Sequence, residues 1–210
     1  MCPSLHLYRL YALISGGKFE ILIICPGQSI CKYEKKIIDY INENNSLVIA
    51  VNFIPQNIKT DFLYFSNIKR FNFWKQNNDF YNSTCIITSN IVEDECVSNN
   101  TYTVSFEKLI KCGWNYMDNS VILLLRLIDK FNIKHISIAG LDGFSLNNEF
   151  NKNYCQGQLE LLPDDVPLLN QEILEMLIDY KETRSKNTPI KFITPSRFEY
   201  VFQGGDYNEE

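Results

Sequence analysis

Apolar residues gather along this chain into short continuous runs, separated by polar, asparagine-rich connections. The first run, FEILIIC at 19–25, is uninterrupted and rich in isoleucine, as expected of a strand covered on both faces. It breaks at Pro26-Gly27-Gln28-Ser29, and YEKKIIDYINEN at 33–44 follows with apolar residues at 37, 38 and 41, a helical spacing. Buried strands are expected again in SLVIAVNF at 46–53, DFLYFSN at 61–67 and STCIITSN at 83–90, with a short fifth in TYTVSF at 101–106. A long helix is expected over about 118–132, N-capped by Asp118 or Asn119, before IKHISIAGLD at 133–142 returns as a strand. A helix over 170–184 and the strand IKFITP at 190–195 complete the series.

Strands separated by helices predict an α/β, Rossmann-like architecture: a mostly parallel sheet flanked by helices, binding its ligand beyond the carboxyl ends of the strands. Those ends are Pro26 to Ser29, Asn52, Ser66-Asn67, Ser89-Asn90, Gly140-Leu141-Asp142-Gly143 and Thr194-Pro195-Ser196. Apolar runs that close repeatedly on small or amide residues describe the floor of a cleft. Residues 145–165 form the most irregular stretch and are expected to act as a lid. Neither an internal repeat nor a linker interrupts the 210 residues, so a single domain over 1–210 is expected.

Charge narrows the ligand question. A net charge of −5 supplies no general attraction to nucleic acid or an anionic membrane, so any phosphate has to be held locally. The seven cysteines form no CxxC pair and only two histidines accompany them, which argues against a structural zinc site and for free thiols in a reducing, cytoplasmic setting. FEILIIC and VILLLRLI both fall short of the roughly 20 apolar residues that span a bilayer, and no export signal is evident at the N-terminus.

The turn at 26–29 has its own chemistry. A glycine after a strand lets a ligand approach the backbone, and the amides at the start of the next helix can receive phosphate, with Ser29 adding a hydroxyl. It matches neither GxxxxGK[ST] nor GxGxxG, and an ordinary turn with a helix cap is the plainer alternative.

The order strand-PGQS-helix, the strand ending at Asn52, FSN at 65–67 and GWNYMDNSVILLLRLIDKFNIKHISIAGLDGFS together resemble the bacterial sialyltransferases that modify surface oligosaccharides. Those enzymes carry a G-P-S turn, asparagines after the next strands and a strand ending G-I-D-F. Similar nucleotide-binding turns occur in the Maf proteins that modify flagellin and in an archaeal-type hydroxymethylpterin diphosphokinase. The chain resembles more closely a domain that follows an aldolase-like barrel in some polysaccharide-locus proteins. The resemblance covers roughly residues 19–200 and implies a sialyltransferase-like fold binding a nucleotide sugar, CMP-sugar favoured. It places Gly27, Gln28 and Ser29 near the phosphates or ribose, Asn52 and Asn67 at the nucleotide and donor sugar, and Gly140, Asp142 and Gly143 toward the nucleotide end. Each has a structural alternative as a turn, cap or close-packed backbone position.

The family's general-base histidine has no counterpart: its segment here is LELLPDDVPLLNQEIL, His6 lies near the N-terminus and His135 opens a strand. Asp164 and Asp165 in that segment are the candidate catalytic carboxylates, with a solvated loop as the alternative. A leaving phosphate would be neutralised by Lys69, Arg70, Tyr154, Ser196 or Arg197, of which Arg70, three residues after Asn67, is the best placed cation. No DxD motif is present, so no obligate metal or other cofactor is expected. Three functions follow: a nucleotide-sugar-dependent glycosyltransferase acting on a glycan acceptor in surface polysaccharide biosynthesis; a non-catalytic nucleotide-sugar module, as an oligomer or beside an aldolase-like partner; or a small-molecule diphosphokinase.

Overall fold

A computed structural model of the chain describes residues 20–76, 80, 82–91, 101–131, 133–145, 153–155, 157, 159 and 164–203. Seven strands make one sheet: β1 (Ile21–Ile24), β2 (Leu47–Val51), β3 (Phe62–Phe65), β4 (Cys85–Thr88), β5 (Thr101–Val104), β6 (Ile136–Ala139) and β7 (Ile190–Phe192). Their spatial order is β5-β4-β3-β2-β1-β6-β7 and every adjacent pair is parallel. The mostly parallel sheet expected from the apolar runs is therefore parallel throughout.

The helices are α1 (Ser29–Lys32), α2 (Glu34–Asn44), α3 (Ile68–Trp74), α4 (Ser120–Ile128) and α5 (Val166–Thr183), followed by a 3-10 turn at Glu199–Val201. Successive strand side chains point to opposite faces, and each face builds its own core. Ile21, Ile23, Ile49 and Val51 pack with α4, α5 and the 3-10 turn; Leu22, Ile24, Val48 and Ala50 pack with α1, α2 and α3. Burial on both sides is why the strands read as continuous rather than alternating apolar runs.

Three boundaries move from the sequence expectation. The helix expected over 118–132 is the shorter Ser120–Ile128, because Asn119 caps it, accepting from Val121 N at 2.9 Å. The helix expected from 170 begins at Val166: Asp165 caps it by accepting from Leu168 N at 2.9 Å, and Pro167 sits in its first turn, where a missing N–H costs nothing. The strand expected over 133–142 stops at Ala139, since Gly140 turns to φ +78°. Helix α3 had no sequence expectation.

The chain runs outward from central β1 through β2 to β5, then crosses back to place β6 on β1's other side. Neighbouring crossovers therefore leave the sheet in opposite directions between β1 and β6, and a crevice opens there at the strands' carboxyl ends.

Candidate functional site

A cavity of about 390 Å³ occupies that crevice, within the size range of small-molecule sites. Cys25 to Gly27 after β1, Asn52 after β2, Asn67 and Arg70 after β3, and Gly140 to Phe144 after β6 line it. Asn119 and Ser120 at the start of α4, Leu169 and Ile173 of α5, Tyr116, Met117, Tyr154 and Phe198 complete the wall. Polar and charged groups thus come from the ends of β2, β3 and β6 and the start of α4, while Leu141, Phe144, Leu169, Ile173 and Phe198 supply apolar surface.

The turn after β1 does not offer its amides to a ligand in the way expected from sequence. Gly27 N donates to Gly140 O (3.0 Å), Ile30 N to Gly27 O (3.2 Å) and Cys31 N to Gln28 O (3.1 Å). Ser29 N donates to Asp142 Oδ2 at 2.8 Å and Ser29 Oγ to Asp142 Oδ1. Ser29 is buried behind the wall and Gln28 is exposed outside it. Thr194 joins the same cross-link: its Oγ1 accepts from Gly140 N and, with the Ser29 proton committed to Asp142, donates to Ser29 Oγ, both at 2.9 Å. Burial pushes the Asp142 carboxyl up from its ordinary range, and the two hydrogen bonds from Ser29 oppose that shift.

Glycine at 27 is required by packing. A Cβ there would lie 2.3 Å from Gly140 O and 2.6 Å from Asp142 Cγ. Gly140 itself, at φ +78°, has room for no side chain either: its Cβ would lie 2.1 Å from Cys25 O. The glycines hold the β1 and β6 turns in direct backbone contact.

Asn52 adopts a left-handed φ of +60°, a conformation asparagine tolerates better than most residues. Its Oδ1 accepts from Ser66 N at 3.1 Å and its Nδ2 donates to Ser120 Oγ at 2.7 Å. Asn67 caps α3, accepting from Arg70 N at 3.1 Å. Both asparagines line the cavity, with their side chains also joining the elements around it.

Arg70 is the one cation among the described wall residues. It is only 5% exposed, and its Nη1 has no hydrogen-bond partner. The guanidinium lies 4.4 Å from the ring centre of Tyr154, which packs edge-on against Phe144 at 5.8 Å. Tyr154 is held by a bridge to Gly27, and Cys155 N donates to Pro26 O at 2.8 Å. Stacking on an aromatic face offsets part of the burial cost of a cation and leaves its charge unneutralised.

The remaining expected residues stand apart from the cavity. Asp165 caps α5, and Asp164 beside it is exposed. Tyr116 connects that turn to the cavity wall, its hydroxyl lying 3.3 Å from Asp165 N and 3.4 Å from Asp165 O. Ser196 donates to Leu141 O and accepts from Phe198 N, so its hydroxyl shapes the turn after β7. Arg197 is exposed and lays its stem along Gly143, whose own φ is +83°. Lys69 is exposed, and His135, also exposed, lies before β6 at the opposite end of the sheet. Much of the expected 145–165 lid, and both Cys2 and Cys96, lie outside the described residues; the five described cysteines are free thiols.

Three wall contributions went unread in the sequence. Ser120 lies directly after the expected cap and gave a usable signal; Tyr116 and Phe198 gave none. Asn170 positions Phe144 by accepting from its N and donating to its O, both at 2.9 Å, and Glu172 accepts from Asn115 N, Asn115 Nδ2 and Tyr116 N at 2.7–2.8 Å. Among the described residues no cluster of His, Cys, Asp or Glu is arranged to hold a metal, and no helix is long and apolar enough to cross a membrane. Compared with known proteins, the chain matches no protein-family model, no curated protein and no solved structure.

Proposed function

We propose that this cavity binds a phosphorylated small molecule, a nucleotide sugar, with a phosphate against Arg70. The observation that carries the reading is the buried, unpaired guanidinium in the cavity wall. A buried charge without a counter-charge is costly, and an anionic ligand is the group that would neutralise it. The apolar surface of Leu141, Phe144, Leu169 and Ile173 suits the faces of a base or sugar ring. The crevice position at the sheet's switch point supports the same reading, and the resemblance in sequence favours a CMP-sugar.

Binding is better supported than transfer. Asp142 is the one carboxylate among the described wall residues, and Ser29 engages both of its oxygens. A non-catalytic nucleotide-sugar module, acting beside an enzyme that makes or uses the sugar, is consistent with that arrangement. Glycosyl transfer to a glycan acceptor is the second reading; it is favoured by the turn at Asp164-Asp165, which Tyr116 ties to the cavity rim.

Calorimetric titration with CMP, UDP, GDP and ATP, in buffer with and without EDTA, tests the proposal. At least one nucleotide should bind with or without EDTA, and Arg70→Gln should lose that binding while remaining folded. A folded Arg70→Gln protein with unchanged affinity would overturn it. Incubating the bound nucleotide's sugar conjugate with candidate glycans then separates the readings, since donor turnover requires the transferase.

A further inference from the structure

We propose that Ser120 is a second oxyanion donor of this cavity, its O–H aimed at the ligand by Asn52 and Ser66. The inference rests on the reading of the cavity as an anion site. A serine hydroxyl has one proton to donate and two lone pairs to accept with. Both lone pairs of Ser120 are taken up: Asn52 Nδ2 and Ser66 Oγ each donate to Ser120 Oγ at 2.7 Å. The orientation of the Asn52 amide is fixed by its other end, because Oδ1 must face the Ser66 N–H that it accepts from at 3.1 Å. Ser120 therefore has its proton left, no acceptor for it among the described residues, and a position in the cavity wall.

The buried cation makes this more than a polar serine at a helix start. Arg70, 5% exposed with Nη1 unpartnered, lines the same cavity. One fully charged donor and one neutral donor line a single cavity, which a phosphate or another oxyanion could enter. The strand-end asparagine is then a positioning residue: its left-handed turn at φ +60° carries the side chain across the ends of β2 and β3 to reach α4, and both ends of its amide are engaged in orienting Ser120.

The test uses the full chain, with CMP, UDP and inorganic phosphate as probes in calorimetry and thermal melting as the check on folding. Hydrogen bonds to charged groups predict that Ser120→Ala weakens binding of the nucleotide roughly ten- to hundredfold in a protein that still melts cooperatively, at a temperature lowered by the loss of the acceptor for Asn52 Nδ2 and Ser66 Oγ. Ser120→Thr, which keeps the hydroxyl, should retain most of the affinity. Asn52→Gly, which keeps the left-handed turn and removes the amide, should weaken binding in the wild-type background and add nothing to Ser120→Ala. If Ser120→Ala binds like wild type while Arg70→Gln does not, the Ser120 assignment fails and the anion site stands. If the wild-type protein binds none of the three probes, both are overturned.

Discussion

Ser29 gives both its amide and its hydroxyl to the carboxylate of Asp142, a residue 113 positions further along the chain. The start of α1 is where sequence patterning would seat a phosphate, and an internal carboxylate holds that position. The positive charge in the cavity wall lies elsewhere, on Arg70 in α3.

The Ser29–Asp142 contact should make stability depend on pH in a definite direction. Burial raises the Asp142 pKa and the bonds from Ser29 lower it, so Ser29→Ala should raise it further. A folded-state acid pKa above the unfolded value contributes stability that is present below the unfolded pKa and lost as pH rises through the folded one. Relative to wild type, Ser29→Ala should therefore be destabilised by about 1–3 kcal/mol at pH 7, with the difference shrinking at acid pH. Urea denaturation at several pH values measures it, and a difference that grows on acidification would contradict the assignment.

Gly27→Ala is expected to destabilise the fold by at least about 2 kcal/mol, because the new Cβ meets the Gly140 carbonyl oxygen at 2.3 Å and backbone has to move. The urea midpoint reports this. An unchanged midpoint would show that the β1 and β6 turns can separate freely.

Arg70→Met should stabilise the ligand-free protein, by about 1 kcal/mol, while removing nucleotide binding. Thermal melting with and without nucleotide reads both effects: the variant should start higher than wild type and fail to rise on addition of ligand. A lower starting point would mean that stacking on Tyr154 already compensates the charge.

Glu172 tests the opposite pH sign. Burial pushes its carboxyl up, but bonds from Tyr116 N, Asn115 N and Asn115 Nδ2 outweigh burial and hold it below the usual carboxylate range. Such a group stabilises the fold above its unfolded pKa, and the contribution is lost as pH falls through the folded pKa. Glu172→Gln should thus be less stable than wild type at neutral pH and converge with it in acid, as followed by urea denaturation. Parallel stability curves across that range would exclude this role.

The sheet was legible because five of its strands are buried on both faces, a pattern that survives any error in the loops. Helix α3 was not, since a seven-residue helix starting at Ile68 shows barely two turns of periodicity. The cap at Asp165 is written in the sequence as Asp-Val-Pro, an acidic cap two residues before a first-turn proline, and the same carboxylate fits a catalytic pattern equally well when its partner Leu168 N is not known. In the site, strand-end glycines and asparagines could be located because strand ends must converge in a parallel sheet. What their polar atoms bind could not: the partners of Ser29 and Asn52 lie 113 and 68 residues away, and the burial of Arg70 depends on Tyr154, whose segment docks beside Gly27.

Because β1 pairs with β2 on one side and with β6 on the other, the chain completes the wall of its cavity late in synthesis. A nascent polypeptide that has emerged only through β5 has the outward half of the sheet and Arg70, yet one edge of β1 still waits for Ile136–Ala139. A ligand can stabilise only a state that binds it, so a ligand of the finished cavity would not rescue that half-made sheet. Until β6 arrives, the exposed hydrogen-bonding edge of β1 is a template for pairing with another chain.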